Sequence, residues 1–191
     1  MKVIGINGSA RKGGNTATMI NTVFGELEKE GIQTEMMEMS GKNIRGCIAC
    51  MKCFKNKDQK CAVDKDMANE YIAAMLEADG IVLGSPTYFA NISTEMKALV
   101  DRAGMVNRAN DNMLARKVGA GVVVARRGGA IHTFNSLNHF FFIGEMIVPG
   151  ADYWNMGFGR EKGDVTGDDE GIGTMKILGR NMAWLLKKLN A

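Results

Sequence analysis

The sequence holds no run of about 18 apolar residues, so no segment reads as a membrane span. Its apolar start, KVIGIN, is broken by glycine and then by Arg11 and Lys12, and is too brief for the core of a secretion signal. It has no block of like charge: 24 Lys and Arg are interspersed with 21 Asp and Glu for a net charge of +3, which argues against nucleic acid as the main partner. Internal repeats, low-complexity segments and linker-like stretches are absent, and with them repeat architectures and a division into several domains. Neither GxGxxG nor the Walker pattern is present. Cysteine is missing outside residues 47–61. A cytoplasmic, reducing compartment is therefore expected, where clustered cysteines serve metal or redox chemistry before disulfides.

What is present is an ordinary globular composition. Of 191 residues, 46% are hydrophobic and 24% charged, which suits one domain at a prior of roughly 150 residues each. Residues 2–7 are a short β-branched run followed at once by a glycine-rich loop. From Asn15 onward, Ile20, Val23, Phe24 and Leu27 recur at helical spacing on one face. A second strand is predicted at 32–39 and a helix from near Asp66. GIVLGSP at 80–86 reads as a buried strand, and Ser93 as the N-cap of a helix with the face Met96, Leu99, Val100 and Ala103. VGAGVVVA at 118–125 is a further strand, followed by a helix through about Met146, a short fifth strand at Ile147 and Val148, and a closing helix ending in Lys187 and Lys188.

Strands that read as continuous apolar runs are buried on both faces, which means a parallel sheet covered by helices. The expected architecture is a flavodoxin-like α/β sandwich of five parallel strands in the order 2-1-3-4-5. Its ligand site lies beyond the strand carboxyl ends, at the loops 8–16, 86–92 and 125–130. The domain spans 1–191, with a cysteine-rich insert at about 41–65.

The loop GSARKGGNT sits where a strand feeds a helix, so backbone amides and the helix dipole converge on an anion. Ser9, Asn15 and Thr16 add neutral donors. Without the P-loop lysine and magnesium-binding hydroxyl, the loop suits one terminal phosphate monoester, as in FMN, better than a triphosphate. In the second loop, Tyr88 and Phe89 offer rings to a flat heterocycle, and Asn91 offers an amide. In the third, Arg126 and Arg127 precede two glycines, where a backbone can approach a ligand closely. His132 and His139 read as packing or surface residues.

Cys47, Cys50, Cys53 and Cys61 have the form C-x2-C-x2-C-x7-C, a spacing at which thiolates wrap one compact centre. Three outcomes satisfy it: an iron–sulfur cluster, structural zinc, or redox-active free thiols. The surrounding stretch has no strong periodicity, and a metal would supply the order it lacks. Lys52, Lys55, Lys57 and Lys60 offset the charge of thiolates or form a solvated loop.

Three segments, GSARKGGNT, the cysteine block followed by AVDKDM, and GIVLGSPTYFANISTEMKALVDR at 80–102, resemble the NADPH-dependent FMN reductase family, and within it the iron–sulfur flavoproteins. The resemblance runs over nearly the whole chain, and the family usually has proline where Ala10 stands. It implies phosphate contacts at Ser9, Arg11, Asn15 and Thr16, and ring contacts at Pro86, Thr87, Tyr88, Phe89 and Asn91, with Arg127, Gly128 and Gly129 nearby. It further implies a [4Fe-4S] cluster on the four cysteines that passes single electrons to FMN. The expected donor is a ferredoxin-like protein or NAD(P)H and the expected acceptor a small molecule such as a quinone, and the resemblance implies a homodimer or homotetramer. No side chain is required as acid or base, because the flavin carries the chemistry.

Overall fold

A computed structural model describes residues 1–190. The strands are β1 (Lys2–Asn7), β2 (Gln33–Glu38), β3 (Gly80–Pro86), β4 (Val118–Ala125) and β5 (Met156–Phe158). The helices are α1 (Asn15–Lys29), α2 (Lys52–Asn56), α3 (Ala68–Glu77), α4 (Thr94–Ala109), α5 (Ala130–Ile143) and α6 (Asp169–Leu189), with a 3-10 turn at Asp164–Gly167. The five strands pair in parallel in the order 2-1-3-4-5, as the apolar runs predict.

Successive residues of the central strands serve opposite layers, because side chains alternate across a pleated strand. Val3, Val82, Val122 and Val124 point to the layer of α1 and α6. Ile4, Ile6, Ile81, Leu83 and Val123 point to the layer built from α3, α4 and α5. β4 is buried along its whole length, which explains why its sequence shows no alternation. β2 and β5 are edges. β2 keeps exposed or half-buried side chains along its length.

Two expectations are corrected. Residues 147–148 are not the fifth strand: Ile147 makes a one-residue bridge to Val118, through Ile147 N to Lys117 O and Gly119 N to Ile147 O. Pro149 follows and cannot donate to a ladder. Parallel pairing resumes only at Met156–Phe158, opposite Val123–Ala125. The residues there, MGFGR, are too few and too glycine-rich to announce a strand. The predicted helix through Met146 ends at Ile143, and Gly144 follows it. The helix expected from near Asp66 forms at Ala68–Glu77, and α2 lies unannounced within the cysteine stretch.

No helix among the described residues is long and apolar enough to cross a membrane. Five connections leave the carboxyl edge of the sheet, and four are tied to neighbouring strands: Gly8 N donates to Gly84 O, Met39 N to Asn7 O, Thr87 N to Val124 O and Gly159 N to Ala125 O. Close helix packing on β4 depends on Gly119, where a Cβ would lie 2.5 Å from Cδ1 of Phe141. Phe141 is itself fully buried and has nowhere to move. Gly119→Ala is therefore expected to destabilise the fold by about 1–3 kcal/mol, measured as a lower urea midpoint with unchanged slope.

Candidate functional site

The carboxyl ends of β1, β3 and β4 open into a cleft of about 330 Å³, within the usual range for small-molecule sites of about 300–1,000 Å³. Ser9, Arg11, Asn15, Thr16, Pro86, Thr87 and Tyr88, all sequence candidates, line it. The first loop is shaped by its own hydrogen bonds. Ser9 N donates to Asn7 Oδ1 at 3.1 Å and Arg11 N to Ser9 Oγ at 3.1 Å. Asn7 Nδ2 and Gly13 N donate to the two carboxylate oxygens of Glu38.

Helix α1 then starts without a side-chain cap at Gly14. Its first helical bond runs from Thr18 N to Gly14 O, so the amides of Asn15, Thr16 and Ala17 have no acceptor within the helix. Helices α4 and α6 start differently, with Ser93 accepting from Met96 N and Asp168 from Gly171 N. Thr87 also lines the cleft, and its hydroxyl is buried and has no hydrogen-bond partner. Residues that line the cleft thus carry both unpaired amides and an unpaired hydroxyl.

A fourth connection, after β5, completes the cleft with Gly159, Arg160 and Lys162, none of which the sequence reading singled out. It is fastened to the first loop from both sides. Arg11 Nη1 donates to Arg160 O at 2.8 Å, Asn15 Nδ2 to Glu161 O at 2.8 Å, and Gly163 N to Asn15 Oδ1 at 2.7 Å. Lys162 Nζ donates to Lys12 O at 3.3 Å. Asn15 is therefore a tie between two loops as well as a wall of the cleft. Four cations, Arg11, Arg126, Arg160 and Lys162, line it, which favours an anion. The available signal was a pair of basic residues among glycines in GFGREKG, hidden because the strand before it is so short.

The remaining candidates stand elsewhere. Tyr88 and Asn91 pair across a two-residue turn whose tip, Phe89 and Ala90, has positive φ at both positions and leaves Phe89 fully exposed. Asn91 Oδ1 accepts from Ile92 N and from Ser136 Oγ of α5, so it braces the turn. Arg127 and Gly128 are exposed and outside the cleft. Gly129 has φ +87°, and a Cβ there would come within 3.1 Å of Ala90. Its lack of a side chain serves the approach of the third loop to the second. His132 and His139 are exposed.

The cysteine insert runs from β2 to α3 and is crossed by hydrogen bonds within itself and to the helices beside it. Cys61 N donates to Asn69 Oδ1 at 2.8 Å and Asn69 Nδ2 returns a bond to Cys61 O at 2.9 Å. Arg45 N donates to Asp66 Oδ2 and Gln59 N to Asn110 Oδ1. Ala49, Met51, Lys57 and Gln59 adopt positive φ without being glycine, a density of unfavourable backbone that accompanies functional loops.

All four cysteines line one recess, walled by Ile48, Met51, Met105 and Val106 of the insert and α4, with Arg102 beside them. Cys53 is buried, Cys61 partly buried, and Cys47 and Cys50 exposed. Burial pushes the Cys53 thiol above its ordinary value, against backbone hydrogen bonds at Phe54 and Cys53 that lower it, and the neighbouring Cys61 and Cys50 raise it further. Among the described residues no three Cys, His, Asp or Glu side chains converge closely enough to hold a single metal ion. Four thiols around one apolar recess remain a donor set suited to iron–sulfur chemistry. Lys52, Lys55, Lys57 and Lys60 are exposed, and the cation at the thiols is Arg102.

A five-stranded parallel sandwich with an anion-favouring cleft at its strand switch point defines a flavodoxin-like α/β protein. Residues 1–161 match the family described as NADPH-dependent FMN reductase. The chain belongs to that family, and with it to the flavoprotein oxidoreductases. It is 38% identical to an iron–sulfur flavoprotein of Methanocaldococcus jannaschii over 98% of both chains. Among solved structures, a flavodoxin from the domain Archaea superposes with a TM-score of 0.63 at 18% identity, covering 98% of this chain and 99% of that one. RosB, solved with a bound 8-demethyl-8-formylriboflavin-5'-phosphate, gives 0.77 at 17% identity, covering 100% and 80%.

The ion pair between Asp66 and Arg102, with side chains 7% and 0% exposed, makes the insert pH-sensitive. Burial pushes the Asp66 carboxyl up, but hydrogen bonds from Arg102 and from the amides of Arg45 and Ala68 outweigh it and hold the group below its ordinary value. A depressed carboxyl stabilises the folded state fully above its unfolded value near 3.9, and that stability is lost as pH falls through the lower folded value. In metal-free protein, Asp66→Asn is expected to cost about 3 kcal/mol near neutral pH. The gap to the parent protein should narrow below about pH 4, as read from urea midpoints at several pH values.

Proposed function

We propose that the chain is an FMN-dependent electron-transfer oxidoreductase whose cysteine insert holds an iron–sulfur cluster. The observation that carries the FMN reading is a pair of unsatisfied features among the residues of the cleft: the uncapped start of α1 with its unpaired amides and the buried, partnerless hydroxyl of Thr87. Buried polar groups without partners are rare and call for an explanation; Thr133 and Asn138 on α5 carry two others, but only Thr87 lines the cleft. A phosphate monoester satisfies the amides, and the polar edge of a flat heterocycle satisfies the hydroxyl.

In this reading Ser9, Arg11, Asn15 and Thr16 hold the phosphate, assisted by Arg160 and Lys162. Pro86, Thr87 and Tyr88 bound the ring, and Phe89, Asn91 and Arg127 to Gly129 build the turns around it. When bound, FMN accepts a hydride or single electrons and releases them in pairs to a small acceptor. The protein's part is to orient the ring, to neutralise the phosphate, and to place positive charge where negative charge develops. NAD(P)H is the hydride source that the family description supports.

Cys47, Cys50, Cys53 and Cys61 would hold the cluster. Their shared recess and the name carried by the Methanocaldococcus relative support that reading, in which a ferredoxin-like donor delivers electrons one at a time. Helix α4 links the two sites: its cap, Ser93, follows the second cleft loop, and Arg102 lines the recess about 14 Å further along the axis. Exposed Phe142, Ile143, Tyr153, Trp154 and Trp184 leave apolar surface for a homodimer or homotetramer.

The deciding experiment is the visible absorption spectrum of protein purified without oxygen. Flavin bands over a broad iron–sulfur background are expected, flavin bands alone would remove the cluster, and colourless protein that also fails to bind added FMN would overturn the reading. Thr87→Val should leave the stability of flavin-free protein unchanged or higher and weaken FMN by about 1 kcal/mol, roughly fivefold. Arg160→Ala with Lys162→Ala should weaken FMN and spare riboflavin, measured by fluorescence quenching. Equal losses for both ligands would remove these two residues from the phosphate end.

A further inference from the structure

Arg102 is the largest fully buried side chain in the molecule, and nothing in the flavin cleft uses it. It stands on the apolar stripe of α4, among Leu99, Ala103 and Val106, where a guanidinium is costly unless every donor is engaged. Its three nitrogens are engaged with the cysteine insert alone. Nε donates to Cys61 Sγ at 3.3 Å. Nη1 donates to Asp66 Oδ1 at 2.8 Å and to Arg45 O at 3.2 Å, and Nη2 donates to Val63 O.

These partners flank the cysteine block on both sides. Arg45 lies two residues before Cys47, and Val63 and Asp66 follow Cys61. One planar group therefore closes the stretch into a ring and brings the last thiol, separated from Cys53 by seven residues, to the other three. We propose that Arg102 is the positioning residue of the thiolate centre: it clamps both ends of the insert and donates an N–H to the sulfur of Cys61. The clamp stands on the hydrogen bonds alone, and the donation to a cluster-bound sulfur rests on the iron–sulfur reading above.

The physical consequences are separable. Asp66 neutralises the guanidinium, so Arg102 is held in place whether or not Cys61 is ionised. An N–H aimed at a ligand sulfur stabilises the more negative, reduced form of a cluster and raises its potential. Lysine is a poor replacement, because a point charge on a flexible stem reaches Asp66 but does not span Cys61 and two carbonyls at once.

Arg102→Ala would bury Asp66 unpaired, so the informative variants are Arg102→Lys, which keeps an ion pair, and Arg102→Met with Asp66→Asn, which removes both charges. The full-length chain is used throughout, and protection of the sheet amides against hydrogen exchange reports that each variant is folded. In protein freed of metal by chelation, amide exchange across residues 45–66 is expected to quicken at least tenfold in both variants, with β3 and β4 unaffected. In protein reconstituted with iron and sulfide, Arg102→Lys is expected to hold less iron per chain, and the cluster it retains should have a lower reduction potential by EPR titration. Loss of iron without a change in potential would overturn the donation to Cys61. Unchanged exchange across 45–66 in both variants would overturn the clamp. If the parent chain takes up neither iron nor sulfide, the iron–sulfur reading fails, and the exchange experiment still decides the clamp.

Discussion

Burial of β1, β3 and β4 on both faces is the constraint on which the rest depends. Their side chains are shared between the layer of α1 and α6 and that of α3, α4 and α5, and their backbone groups are consumed by parallel pairing. The carboxyl edge is different, because there the ladder ends and the chain turns into loops. Unpaired amides concentrate at that edge, and a ligand that supplies acceptors finds them already oriented. The flavin reading is thus a consequence of where a parallel sheet stops satisfying itself.

The cleft is not made by the glycine loop alone. Its far wall is the connection after β5, held by Arg11, Asn15 and Lys162 across nearly the whole length of the chain. Those ties explain how a loop of small residues keeps one shape before a phosphate arrives. They also give Asn15 two duties, since its amide oxygen is already committed to Gly163. Preorganisation of this kind reduces the ordering cost that binding would otherwise carry.

The insert follows the same logic with different chemistry. A long excursion from β2 to α3 has no ladder to join, and side chains outside it reach back to its backbone and thiols: Asn69, Asn110 and Arg102. The buried ion pair does not make the fold economical, because desolvating two charges offsets much of their attraction. What it provides is a defined path for backbone that includes four left-handed non-glycine residues. The exposed lysines, which drew attention by number, contribute no such constraint.

Several features were legible in the sequence because their causes are local. The limits of β3 and β4 followed from continuous apolar runs bounded by turns, the Ser93 cap from its position before a helical stripe, and the strand order from a glycine loop after the first of five strands. The family resemblance was carried by short segments whose spacing survives without a structure. The position of the fifth strand was not legible, because three residues at a sheet edge carry almost no pattern and Ile147 and Val148 looked the better candidates. Arg160 and Lys162 were missed for the same reason: their place in the cleft depends on which strand precedes them. Arg102 was not singled out in the sequence, and only the tertiary structure brought it against residues 45, 61, 63 and 66. Local periodicity and turn chemistry determine the elements and their order, whereas contacts between distant loops depend on how the layers pack, and that is decided only when the whole chain is folded.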